Sequence, residues 1–270
     1  MIKTRSMKIA VVSDIHGNLP ALEAVLADIA EAGADITVNL GDIVSGPLWV
    51  AQTADRLMAL DLPTIRGNHE RQLLTLPRER MGASDAYAAA QLQPPQRQWL
   101  ASLPGTLQLS DEVFCCHGTP DSDLVYFLET VTPDYAEAAS RGARAATLAE
   151  ATQRAGAAMR GVRDPLILCG HTHSPRTVQL ADGRLVVNAG SVGLQAFDDL
   201  HPHPHVIENG SPHARYAIVS RADAGWHVDH RLVPYDWQAA ARLAEANGRP
   251  DWADALRSGF VGRWESTAAP

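Results

Sequence analysis

Residues 8–17 read KIAVVSDIHG, and the residues after them decide how that stretch is read. Lys8 to Ser13 is a short apolar run. Leu19, Leu22, Val25, Leu26 and Ile29 then recur at helical spacing until Gly33 stops the pattern, so the segment is a strand, a loop and a helix. The unit repeats. Ile36 to Leu40 is a second apolar run ending in Gly-Asp, residues 50–60 have helical character, and Pro63 to Arg66 is a third short strand ending in GNHE. Strands alternating with helices predict parallel strands covered on both faces, with loops gathered at their carboxyl ends.

Downstream the rhythm changes. Residues 70–102 hold helical stretches broken by Pro77, Pro94 and Pro95 before EVFCCHG returns as a strand. Residues 134–161 are rich in Ala with few large apolar groups, which favours a surface helix or a cap. LILCGHTH follows, then an expected hairpin of RTVQL and RLVVNAG around a type I′ turn at Asp182-Gly183, and strands at ARYAIVS and GWHVDHRLV. This clustering predicts a second, largely antiparallel sheet. Two short helices are expected at 236–246 and 250–258. At 270 residues the expectation is one domain over residues 1–270, with helical insertions at about 70–110 and 119–164.

Composition narrows the function classes. A formal charge of −8 argues against a chain that tracks nucleic-acid polymers. No apolar stretch is long enough for a membrane span, and KIAVVSD is too short for the centre of a signal peptide, with Met7 an alternative start. Cys115, Cys116 and Cys169 end apolar runs, which fits small buried strand residues in a reducing compartment and a cytoplasmic location.

Five short clusters stand at the ends of expected strands: SDIHG at 13–17, GD at 41–42, GNHE at 67–70, HG at 117–118 and GHTH at 170–173. A single His after a strand is weak evidence; five such clusters in order are not. Imidazole and carboxylate without thiolate suit Mn, Fe, Co, Ni or Zn rather than a structural Cys-bound zinc. A pair of such ions bridged by a carboxylate activates a bridging hydroxide as nucleophile, which removes the need for a Ser or Cys.

The ordered set Asp-x-His, Gly-Asp, Gly-Asn-His-Glu, His, Gly-His-x-His resembles the calcineurin-like metallophosphoesterase superfamily over about residues 8–193. The resemblance implies an α/β fold, a four-layered α/β/β/α sandwich, and a binuclear metal-dependent phosphoric ester hydrolase with two divalent ions. It further implies that Asp14, His16 and His173 bind one metal, that Asn68, His117 and His171 bind the other, and that Asp42 bridges them. Asn68 and His69 then face the substrate, and His69 acts as the leaving-group acid, with Glu70 either orienting it or serving as an ordinary helix-start acid. NAGSVG at 188–193 is similar to the NPGSVG signature of the bacterial and archaeal phosphodiesterase branch and the diadenosine-tetraphosphatase-related group, with Ala189 in place of Pro. GDIVSG lacks the Asp-Arg-Gly continuation of Ser/Thr protein phosphatases, which argues against that activity. The expected substrate is a small or nucleotide-like phosphodiester. The alternatives are a phosphomonoester, a dinucleoside polyphosphate, or a non-catalytic binding scaffold of the same fold.

Outside these clusters, His201-Pro-His203-Pro-His205 reads as an extended loop that could line a pocket mouth, and His227 and His230 as surface strand residues. The 119–164 insertion offers Tyr126, Phe127, Arg141 and Arg144 as candidate substrate contacts.

Overall fold

The computed structural model describes residues 7–134, 141–163 and 165–263. The strand β1 (Lys8–Val12) leads into α1 (Leu19–Ala32) and returns in β2 (Ile36–Asn39), parallel to β1 with Ile9 opposite Ile36. Asn18 caps α1 by accepting from Ala21 N, and Gly33, at φ 64°, ends it. Side chains alternate along β1. Ala10 and Val12 meet Leu22, Val25 and Ile29 of α1, whereas Ile9 and Val11 point to the opposite side, so KIAVV is buried on both faces as its unbroken apolar run requires. Residues 63–66 contribute only a parallel bridge between Thr64 and Asn39.

The helical stretches expected after residue 50 are α2 (Val50–Leu60), α3 (Asn68–Thr75), a 3₁₀ turn at Arg78–Arg80, α4 (Ala83–Gln91) and α5 (Pro94–Ser102). Pro94 and Pro95 open α5, where the missing N–H groups cost nothing. There follow β3 (Thr106–Ser110), β4 (Val113–Cys116), β5 (Glu129–Val131), β6 (Ala143–Ala145), α6 (Leu148–Arg154), β7 (Leu166–Cys169), β8 (Arg176–Gln179) and β9 (Leu185–Asn188). The chain continues through β10 (Ala196–Asp199), β11 (His205–Glu208), β12 (Ala214–Ala222), β13 (Gly225–Val233), α7 (Trp237–Ala246) and α8 (Pro250–Ser258).

Two sheets face each other. The first has the order β13-β12-β1-β2 and the second β3-β4-β7-β9-β8. Ile9, Val11, Val38, Ala217 and Val219 of the first pack against Val113, Cys115, Leu166, Leu168 and Val187 of the second. Helices α1 to α5 cover the outer face of the first sheet, and α6 with Phe127 and Leu128 covers Cys116, Ile167, Cys169 and Val186 on the outer face of the second. This is the α/β/β/α layering. A satellite core joins α7 and α8 to Leu48, Leu194 and Ala196.

Three expectations are corrected. The second sheet is not largely antiparallel: β4, β7 and β9 run parallel, and only its edge strands β3 and β8 oppose their neighbours. The ARYAIVS strand, β12, instead lies antiparallel beside β1 with Val219 opposite Ile9, because Tyr216 and Ile218 face the helices while Ala217 and Val219 face the second sheet. At the β8–β9 turn only Gly183 has positive φ, at 92°, and its N–H bonds Leu180 O, so the turn is not type I′. The expected helix or cap at 134–161 falls partly outside the described residues; the rest holds β6, paired with β5, and only seven helical residues in α6.

Candidate metal centre

The five clusters converge at the carboxyl ends of β1, β2, β4 and β7 and the start of α3. Two loops run side by side there: Asp14 N bonds Gly41 O at 2.9 Å, His16 N bonds Asp42 O at 3.0 Å and Gly17 N bonds Ile43 O at 2.9 Å. The 188–193 loop straps them, since Val192 N and Gly193 N bond the carbonyls of Ser13 and Asp14 at 2.9 Å, and Asn188 Nδ2 holds Gly170 O at 2.7 Å. Two glycines are required by crowding: a Cβ at Gly67 would overlap Oδ1 of Asp42, and one at Gly170 would overlap the Ser13 hydroxyl. Asp14, His16, Asp42, His171 and His173 all have φ between 51° and 69°. Non-glycine residues rarely adopt this left-handed region, and such strain gathers at functional sites.

The side chains form two adjoining groups. Asp14, His16 and His173 bring one ligand atom each within 4.8 Å of one another, and so do Asp42, His117 and His171. Nδ1 of His16 donates to Ser45 O at 2.7 Å and Nδ1 of His173 to Leu194 O at 2.8 Å. With Nδ1 the donor in each ring, the two Nε2 atoms face each other across 3.0 Å. Likewise Nδ1 of His117 donates to Leu40 O, and its Nε2 stands 3.1 Å from Asn68 Oδ1 and 3.0 Å from Asp42 Oδ2. In both groups ring nitrogens and oxygens converge on one point, an arrangement that suits a cation there, a proton on His117 in the absence of metal. The donor set of imidazole, carboxylate and amide oxygen fits divalent ions.

The titration of these groups follows. Burial disfavours charge on His117, but Asp42 and Asp14 outweigh it and push its pKa up to about 9. Burial together with His173 holds His16 down at about 3, and burial with His117 holds His171 at about 4. Burial would raise Asp42, yet His117 and His69 keep it well below the usual carboxylate range. Protons on His117 and His69 stand where positive charge is demanded.

His69 lies beside these groups with 30% of its side chain open to the pocket. Its N–H bonds Asp42 Oδ1 at 3.0 Å, and its Nδ1 meets Oδ1 of Asp85, on α4, at 2.8 Å. The orienting carboxylate is therefore Asp85, which also accepts from Ser45 Oγ at 2.6 Å, and not Glu70. Burial opposes charge on His69, and Asp42 and Asp85 override it, raising its pKa to about 10. Glu70 turns the other way: its carboxylate accepts from Gly67 N and Asp42 N at 2.9 Å and from Ile43 N at 2.8 Å, tying the start of α3 to the Gly-Asp loop. Its helix-start role is the one realised, extended to a second loop.

A cavity of about 950 Å³ opens over both groups. Asp85 and Trp252 were not among the residues singled out in the sequence, because one reads as a first-turn helix acid and the other as a helix-face aromatic. Trp252 of α8 stands edge-on to the His16 ring at 5.9 Å. Arg249, at the start of α8, pairs with Asp251 and donates to Ser84 Oγ at 2.9 Å, so α8 anchors the residue next to Asp85. Of the four candidates in the 119–164 insertion, Tyr126 lines the cavity, Phe127 is buried in the core, Arg141 is paired with Glu208 and Arg144 with Glu150. His201 reaches the cavity mouth, whereas His205 is buried and takes the Tyr126 hydroxyl at 2.9 Å. His227 is exposed and His230 half-buried.

An uncharacterized protein of Methanocaldococcus jannaschii is 25% identical over 257 residues, covering 90% of this chain and 94% of its own length. The crystal structure of a metallophosphoesterase from Sphaerobacter thermophilus is similar with a TM-score of 0.64 at 25% identity, over 94% of this chain and 100% of that one. A hypothetical protein from Pyrococcus horikoshii OT3 shares the fold, with a TM-score of 0.65 at 20% identity over 94% and 98% of the two chains. Residues 7–206 match the calcineurin-like phosphoesterase superfamily domain, and the chain belongs to that family.

Proposed function

We propose that the protein is a binuclear metal-dependent phosphoric ester hydrolase acting on a small or nucleotide-like phosphodiester. The observation that carries this reading is the convergence of ligand atoms, Nε2 of His16 on Nε2 of His173 and Nε2 of His117 on Asn68 and Asp42, beside an imidazole fixed by a buried carboxylate. Asp14, His16 and His173 would hold one ion, Asn68, His117 and His171 the other, and Asp42 would touch both. When bound, divalent ions supply Lewis acidity toward phosphoryl oxygens and bring the pKa of a coordinated water near neutrality.

The chain's own residues do the rest. Asp85 holds the Nδ1 proton of His69, so Nε2, which has no protein partner among the described residues, carries the proton given to the departing oxygen. Asn68 and His69, at the first two positions of α3, face the cavity and position the phosphate. The three cysteines are buried and unpaired, which supports a cytoplasmic setting. No described helix is long and apolar enough to cross a membrane.

The reading is tested with bis(p-nitrophenyl) phosphate against p-nitrophenyl phosphate, with Mn, Fe, Co, Ni and Zn added in turn. Diester turnover is expected, and turnover of the monoester alone would refute the diesterase assignment. Asp42→Asn is expected to lower metal content and activity together; no change in either would refute its bridging role.

A further inference from the structure

The walls of the cavity say which ester fits it. Three aromatic rings stand against three of the His side chains that border the cavity: Tyr126 is edge-on to His171 at 4.9 Å, Phe197 to His173 at 4.7 Å and Trp252 to His16 at 5.9 Å. From these rings the apolar surface continues to the mouth, where Leu124, Val125 and Leu200 are 53%, 44% and 47% exposed. Leu124 is also tied to the site, since its carbonyl accepts from His171 Nε2 at 3.2 Å. A group esterified to a phosphate at the His clusters therefore meets rings first and aliphatic side chains further out.

The same walls carry charges of both signs. Outside the metal-binding groups, the lining carries four carboxylates, Asp85, Glu129, Asp198 and Asp199, against two guanidinium groups, Arg80 and Arg154. Arg154 is committed to Phe127 O, Glu129 O and Thr130 Oγ1. The guanidinium of Arg80, exposed at the mouth, has no hydrogen-bond or ion-pair partner among the described residues. Asp85 is matched by His69 and Glu129 by Arg176, so the charged groups of the wall nearly balance and selection falls to the apolar surface.

Accepting the hydrolase reading above, we propose that the substrate is a phosphodiester bearing at least one large aromatic ester group, such as a nucleoside, seated against Tyr126, Phe197 and Trp252. The volume of about 950 Å³ is ample for such a group and far exceeds the need of a phosphate alone.

The test begins with binding, which does not depend on turnover. Diphenyl and dimethyl phosphate carry the same single charge, and calorimetry on the full-length, Mn-loaded chain is expected to show diphenyl phosphate binding about tenfold more tightly or better. Equal affinities would overturn the proposal. Leu200→Asp, at the exposed rim, and Phe197→Ala are each expected to move the affinity ratio toward one; a ratio unmoved in the folded Leu200→Asp protein would remove the apolar wall from the account. Turnover then separates the chemical sources. Phenyl, octyl and methyl p-nitrophenyl phosphate share one leaving group, and kcat/KM is expected to be about tenfold higher for phenyl than for methyl, with octyl between them. Octyl equal to or above phenyl would overturn the aromatic assignment. Failure to hydrolyse any ester sinks the hydrolase reading, while the diphenyl-to-dimethyl binding ratio still decides the nature of the pocket.

Discussion

Oδ1 of Asp85 lies 2.8 Å from Nδ1 of His69, joining the first turn of α4 to the first turn of α3 across the mouth of the His clusters. The same oxygen takes the Ser45 hydroxyl, so the carboxylate is fixed before it fixes the imidazole. Asp85→Asn keeps the shape and removes the charge that holds the His69 proton. The expected result is a fall in kcat of about 100-fold for esters of poor leaving groups and a much smaller fall for p-nitrophenyl esters, with metal content unchanged. A uniform loss across leaving groups would mean that Asp85 acts on folding or metal binding and not through His69.

Stability of the metal-free chain should peak near pH 6.5. His117 and His69 have pKa values raised to about 9 and 10, so their contribution is complete below the unfolded value near 6.5 and is lost as pH rises through 9 and 10. His16 and His171, lowered to about 3 and 4, are neutral in the fold, so acid charges them in the unfolded chain first and stability falls as pH drops below 6.5. Urea unfolding at intervals from pH 4 to 10 in the presence of a chelator measures both arms. Divalent metal should flatten the alkaline arm, because it replaces the His117 proton.

Glu70→Ala would strip three buried N–H groups, those of Gly67, Asp42 and Ile43, of their acceptor. Each unsatisfied donor costs on the order of 1 kcal/mol or more, so a loss of about 3 kcal/mol is expected in denaturant unfolding, accompanied by weaker metal retention. Unchanged metal affinity would show that the Gly-Asp loop holds its shape without Glu70.

Trp252→Ala should expose how far the site depends on α8. The ring packs with Leu48, Leu194 and Ala196 and also walls the cavity, so truncation is expected to cost about 3–5 kcal/mol. Unfolding monitored by circular dichroism gives the stability, and KM for an aryl diester should rise in whatever fraction remains folded. A KM equal to the parent's would separate the packing role of Trp252 from any role in the cavity.

Much of the site was legible because its residues carry local signals. Asp14 and His16 follow an apolar run, Asn68 and His69 open a helix after Gly67, and His171 and His173 follow LILC, so strand ends alone bring them to one edge. The α/β alternation of the first hundred residues was legible for the same reason, since each helix face repeats at its own period. The place of strand β12 is not legible: its apolar residues fill both faces, a pattern equally compatible with either sheet, and only the packing of Tyr216 against the helices and Val219 against the second sheet places it beside β1. Glu70 carried two local readings of similar weight, and the choice depended on where the N–H groups of Asp42 and Ile43, 28 and 27 residues earlier, came to lie.

By itself the sequence determined the chemistry available here: which imidazoles, carboxylates and amide could hold cations, and that they stand where strands end. Tertiary structure alone decided their grouping, the Nε2 atoms of His16 and His173 meeting across 157 residues, the pairing of His69 with Asp85, and the aromatic wall supplied by Tyr126, Phe197 and Trp252. The reason is physical. Periodicity and turn chemistry report a residue's relation to its own helix or strand, whereas a hydrogen bond or a ring contact between distant segments is set by how the layers pack, and nothing in either segment specifies its partner.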